Sequence, residues 1–247
     1  MAPDNRAEVE SDAPLLQNND FSDKFQDRED RMNFVRKVYA ILGIQLLFTA
    51  CVVCIPLFND NAVRWMRDTI GLLIAAIVLQ IVTSIALICC RGLSRSVPTN
   101  YILLFIFTLS EAYLVAFIAA HYEPEVVLAA AFSTAGLTAA ISVYAWTTKS
   151  DFTVCGPLFL ILGFTLCMTT IWILIFGLIT GNYHTAHMII CGICVILFSF
   201  YLLFDTQLIM GGKRYAIEID DYILGAVILY TDIITIFLYL LKIFGGK

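Results

Sequence analysis

Tyr222–Leu241 reads YILGAVILYTDIITIFLYLL, twenty residues with a single charge, Asp232, at the middle. A helix needs about 20 apolar residues to cross the ~30 Å hydrocarbon core of a bilayer, so this stretch has the length of one span. An ionisable group at the centre of such a helix costs roughly 2.5–3.5 kcal/mol on insertion scales. The run is therefore a membrane helix that carries its acid for a use: an ion path, a proton relay or a buried pair that gates something.

Working outward, the same composition recurs. The chain is 60% hydrophobic and only 14% charged over 247 residues, whereas soluble domains hold about 25% charged residues. Apolar runs fall at Val38–Phe58, Gly71–Cys90, Tyr101–Ala120, Val126–Trp146, Val154–Ile179 and Met188–Met210, ahead of Tyr222–Leu241. The fold class that follows is an all-α integral membrane protein, a bundle of seven helices in one polytopic domain, residues 38–247. Residues 1–37 hold nine acids and six bases without apolar periodicity, the composition of a disordered tail rather than a signal peptide. Within it, Asp12-Ala13-Pro14-Leu15-Leu16 has the form of an acidic di-leucine sorting signal.

Basic residues set the orientation. Lys24, Arg28, Arg31, Arg36, Lys37, Arg91, Arg95, Lys149, Lys213 and Arg214 lie on the tail side, against Arg64 and Arg67 on the other, which predicts a cytosolic amino terminus. Seven full spans put Lys242 and Lys247 across the membrane, whereas a re-entrant last segment returns them to the tail side. The run Ala129–Ser142, rich in Ala, Gly, Ser and Thr, is expected to form a tightly packed seam near the centre. The loops are too short for a soluble domain, so any activity resides in the bundle.

Two further acids lie within apolar runs: Asp205 late in Met188–Met210 and Glu111 midway along Tyr101–Ala120. In an antiparallel pair, Asp205 stands about 7–8 Å from the tail-side end and Asp232 near the midplane, ~15 Å deep, so contact requires a tilted, broken or shifted last helix. If they meet, the two cannot both ionise cheaply and hold a proton between them. Otherwise each acid separately satisfies a backbone defect or a hydroxyl. Arg91 and Arg95 end the second run, placed either to anchor it at the headgroups or to reach Asp205. Asp220 and Asp221 precede the last run, where they could draw cations toward it or cap the helix. His121, His184 and His187 lie on the side opposite the tail, solvated or clustered as a metal or pH sensor. The C-x-x-C patterns Cys51/Cys54 and Cys191/Cys194 sit inside spans, where cysteine behaves as a small hydrophobe. No nucleophile–base set points to an enzyme, and no cofactor motif is present.

Five blocks in order carry a resemblance: Arg31-Met32-Asn33-Phe34-Val35-Arg36-Lys37-Val38-Tyr39, Phe107-Thr108-Leu109-Ser110-Glu111-Ala112, Lys149-Ser150-Asp151-Phe152, Phe204-Asp205-Thr206-Gln207 and Leu229-Tyr230-Thr231-Asp232-Ile233-Ile234. With them the chain resembles the transmembrane Bax inhibitor motif family, most of all its Lifeguard branch, which includes the Golgi anti-apoptotic proteins. The resemblance implies a bundle with the last helix central, a calcium leak across Golgi or endoplasmic reticulum membranes, and suppression of cell death. It places the family's carboxylate pair, the ion path, gate and calcium ligands, on Asp205 and Asp232. Glu111, Asp220, Asp221 and Arg91 take supporting positions. Thr231 stands where the family pattern often has Leu, which adds a hydroxyl beside Asp232. The expected partners are the lipid bilayer, calcium as the transported ion, and apoptosis regulators or calcium-release channels, with no nucleic acid. The alternative is a membrane interaction protein that regulates apoptosis through partners, its acids purely structural.

Overall fold

The computed structural model describes the backbone of residues 9–180 and 184–246, and side chains from residue 26 onward except at 174 and 176–185. Helices α1 (Val9–Leu57), α2 (Asp60–Asp68), α3 (Ile70–Cys89), α4 (Arg91–Arg95), α5 (Thr99–Ala119), α6 (Pro124–Thr147), α7 (Gly156–Thr180), α8 (His184–Met210) and α9 (Tyr222–Gly245) follow one another, with no strand among the described residues. Seven of them are long and apolar enough to cross a membrane, matching the seven runs. The short α2 and α4 link spans at opposite ends, and prolines fall where a missing N–H is tolerated: Pro124 opens α6 and Pro157 lies in the first turn of α7.

α9 is the centre. Of its most apolar window 61% is buried, against 6% for the fifth span, which contains most of α7. It packs on α1, α6 and α8 and touches α5, burying Ala226, Leu229, Tyr230, Ile233, Ile236 and Leu241. It is one continuous helix, about 36 Å long at 1.5 Å per residue. At its far end Gly245 lies against the Tyr122 ring in the α5–α6 turn, whereas Asp221 before its first turn is bonded to Arg95 of α4. Unbroken from one end of the bundle to the other, α9 has the length and placement of a full span.

Residue 37 falls inside α1, and Phe34 and Val35 ahead of it are already buried. The small-residue run packs with one face on α8 and α9. Val127, Ala130, Thr134 and Ala145 are buried, Leu137 and Ile141 pack half-buried against the core, and the Thr138 hydroxyl is enclosed, whereas Phe132 on the other face is 76% exposed.

Candidate functional site

The end of the bundle that carries the basic residues is built around the link between α8 and α9. Gly211 and Gly212 both have φ near +70°, a region glycine enters without steric penalty, and they reverse the chain after α8. The returning chain is pinned to α8 by the Ile217 N–H donating to the Leu208 carbonyl at 3.0 Å. Arg31 of α1 donates to the Ile217 carbonyl at 2.7 Å. The link thus lies back along α8 instead of projecting from it.

This changes the depth at which α9 begins. A Cβ on Gly225 would stand 3.4 Å from both Ile209 and Val38, which sets residue 225 of α9 beside residue 209 of α8. From that level Asp232 lies seven residues up α9 and Asp205 four residues up α8, an axial offset of about 4.5 Å, one helical turn at most. A carboxyl at each position spans that gap. Asp205 and Asp232 are in side-chain hydrogen-bonding contact, 9% and 7% exposed. Among the described residues no N–H, hydroxyl or cation donates to either carboxyl, and Asp232 Oδ2 is buried without a partner. Tyr201 of α8 lies within electrostatic reach of both acids, while its hydroxyl donates to the Phe159 carbonyl of α7.

On the opposite side of α9 a second polar line runs toward α1 and α5. The Tyr230 hydroxyl shares a 2.8 Å hydrogen bond with Thr49, and its ring meets Phe107 edge-on. Thr49 donates to the Gln45 carbonyl and Gln45 Nε2 donates to Thr108 at 2.9 Å. Glu111, one turn beyond Phe107, is half-buried and within electrostatic reach of Tyr230. Glu111 therefore belongs to this line and not to the aspartate pair. Thr231 is exposed and donates back to the Val227 carbonyl, so its hydroxyl does not reach the pair.

The arginines do not reach Asp205. Arg95 Nε and Nη2 donate to the two oxygens of Asp221 at 2.6 and 2.8 Å, and Nη2 also donates to Glu218. Arg91, 67% exposed, pairs with Glu218 at 3.4 Å. α4 is short and packs on the 218–221 turn, so the acids its arginines meet are those of that turn, buried Asp221 and exposed Glu218. Bonds from Asp221 and Glu218 hold the Arg95 guanidinium above even its ordinary pKa. Asp221 is the residue before α9 but makes no side-chain cap, and Asp220 is exposed.

Gln207, two residues past Asp205, is fully buried. It accepts from the Phe152 N–H at 2.9 Å and donates to the Ser150 carbonyl at 3.0 Å. Lys213 Nζ donates to the carbonyls of Thr148, Lys149 and Ser150, and Asp151 accepts from Arg214 N–H and from Thr153. Two sequence blocks, 149–152 and 204–207, are thus one clamp that fixes the helix carrying Asp205. A buried glutamine in an otherwise apolar run was the available signal; its partner was not.

Among the described residues no three His, Cys, Asp or Glu side chains come together to hold a metal ion. His121 bonds the Phe117 carbonyl and His187 approaches Cys191 Sγ at 3.7 Å; the side chain of His184, and that of the Asp12–Leu16 signal, lie outside the described residues. All eight cysteines are free.

Residues 31–247 match the family described as "Inhibitor of apoptosis-promoting Bax1". Protein lifeguard 3 of Mus musculus is 34% identical over 227 residues, covering 91% of this chain and 72% of that protein. The Homo sapiens protein of the same name is 34% identical over 230 residues with the same coverage. Protein lifeguard 4 of Mus musculus is 32% identical over 213 residues, 86% of this chain and 84% of that protein.

Proposed function

Since the chain belongs to the Bax inhibitor family and is a multi-pass membrane protein, we propose that it is a calcium-permeable, pH-sensitive leak of an internal membrane, Golgi or endoplasmic reticulum, and that it suppresses cell death. The observation that carries this reading is the Asp205–Asp232 contact: two carboxyls, buried between α8 and the central helix, with no cation or other donor among the described residues. Nothing in packing alone requires such a pair. Burying an ionisable group is expensive, and an apolar pair of similar volume would hold α8 to α9 without that expense.

In this reading one proton between the acids closes the path. Its loss at higher pH leaves two like charges in contact and drives α9 from α8; strong acidification neutralises both and removes their attraction for calcium. Carboxylate oxygens suit a hard divalent cation, and two of them without further ligands form a transit point instead of a resident cage. The protein then acts as a conduit and not as a catalyst, and the Arg95–Asp221–Glu218 cluster fixes the mouth. The second reading, an interaction protein with structural acids, is favoured by the Gln207 clamp, which gives the motif blocks a purely architectural use.

Calcium flux from liposomes holding the purified chain separates the two. Wild type should leak with a pH dependence. Asp232→Asn should lower flux and flatten that dependence; Asp205→Asn should flatten it and raise resting leak. No flux, or identical pH curves for all three, gives the case to the interaction reading.

A further inference from the structure

An apolar groove of about 460 Å³ runs between α6 and α8, walled by Leu137, Ile141 and Tyr144 on one side and Ile196, Phe200 and Leu203 on the other. Its volume falls within the range of small-molecule pockets, roughly 300–1,000 Å³. It is open sideways: Ile196 is 62%, Tyr144 49% and Phe200 45% exposed, so at this depth the groove faces acyl chains. It occupies the half of the bundle nearer the basic end, since Tyr144 is three residues from the end of α6 and Leu203 seven from the end of α8.

What stands over its mouth is the clamp. Four residues beyond Tyr144, the Thr148–Ser150 carbonyls receive Lys213, and the Tyr144 ring packs on Phe152 of the same link. Lys149 and Arg214 are exposed beside them, Arg214 lying over the Tyr215 ring. One acid is present, Asp151, kept ionised below the usual aspartate range chiefly by the Thr153 hydroxyl and also by the Arg214 and Thr153 N–H groups. Three cations against one anion leave a positive plate directly above an acyl-chain groove.

We propose that groove and plate together form a binding site for a phospholipid with a phosphorylated, multiply charged headgroup. One acyl chain lies between α6 and α8, and Lys149 and Arg214 engage the phosphates. Arginine and lysine near a membrane surface attract such headgroups, and guanidinium binds phosphate oxygens in pairs. Lys213 holds the three carbonyls and so shapes the plate. The site is independent of ion conduction, although its inner wall is the helix that carries Asp205.

The full chain in detergent can be titrated with dioleoyl phosphatidylinositol monophosphate, dioleoyl phosphatidylcholine and water-soluble inositol phosphate, with bound lipid read by native mass spectrometry. The anionic lipid should bind at least tenfold tighter than the other two. Lys149→Gln/Arg214→Gln should lose about tenfold, ~1.4 kcal/mol. Ala140→Phe, which fills the groove from its lipid-facing side, should lose as much with all charges in place. Arg28→Gln/Arg36→Gln, which removes two charges elsewhere at the same end, should change nothing. Equal losses in that control would show diffuse charge attraction and overturn the site. So would undiminished binding by Ala140→Phe, or headgroup alone binding as tightly as lipid. Should the charge variant fail to fold, Ala140→Phe against wild type still decides.

Discussion

Tyr230 and Glu111 face the same polar line, yet substitutions there should behave differently. Tyr230 is fully buried and its hydroxyl has one partner, Thr49. Tyr230→Phe removes that bond and should cost about 1 kcal/mol, read as a fall of roughly 2–4 °C in thermal midpoint, while Thr49 keeps its bond to the Gln45 carbonyl. Glu111 has no hydrogen bond among the described residues, so Glu111→Gln preserves shape and should leave the midpoint unchanged. If Glu111 lies on the ion path its loss should lower calcium flux; unchanged flux would remove it from the path. Gln207 is the residue whose importance was least visible. Gln207→Leu leaves the Phe152 N–H without its partner at similar volume, while the Ser150 carbonyl keeps only Lys213; at about 1–3 kcal/mol it should be the most destabilising of the three.

At the scale of elements, the mouth is held by α4 against the turn before α9. Asp221 is buried and bonded twice by Arg95, so removing the cation leaves a buried carboxylate unpaired, while removing the acid leaves a partly exposed arginine that water can solvate. Arg95→Gln should therefore lower the thermal midpoint more than Asp221→Asn, and the double variant should lie above Arg95→Gln alone. A double variant as low as the sum of the two would show that the bridge does not couple α4 to α9. The seven helices themselves were legible because about 20 apolar residues mean the same thing wherever they occur. Their relative depth was not. Ordinary helix rise put Asp205 and Asp232 at different levels, and the correction came from a link that folds back through Gly211, Gly212 and the Ile217–Leu208 bond, none of which has a periodic signature. The partners of Arg91 and Arg95 stayed open for the same reason: the length of α4 and the position of the 218–221 turn are set by packing. The composition of α6 likewise told of close approach without telling which side approaches what.

For the molecule as a whole, an odd number of crossings places the two ends of the described bundle on opposite faces, with Arg31 at the Ile217 end and Gly245 at the Tyr122 end. The ten-to-two division of basic residues predicts a cytosolic Arg31 face. Protease added to intact organelles should remove an epitope fused before residue 1 and spare one fused after residue 247; the reverse pattern would invert the mouth that the Asp205 end faces, and cleavage of both would mean that α9 does not cross. Asp205 and Asp232 stand out in the sequence because lipid makes any charge conspicuous, whereas Gln207, Thr49 and Gln45 do not, because neutral polar groups are cheap enough to hide in a span.

The most enclosed helix, α9, is also the last of the seven spans to leave the ribosome, and that order has a consequence for biogenesis. At roughly 5–20 residues per second, several seconds separate the release of α8 from that of α9. During that interval α1, α5, α6 and α8 surround a slot whose walls display Asp205 and Thr49 to lipid or to whatever occupies it. The half-made protein is thus a ring with polar inner surfaces, which a membrane insertase or chaperone that shields intramembrane polar groups is suited to hold. Ribosomal stalling before Tyr222 should leave a species retained by such factors and rapidly degraded, and supplying α9 as a separate span should rescue it.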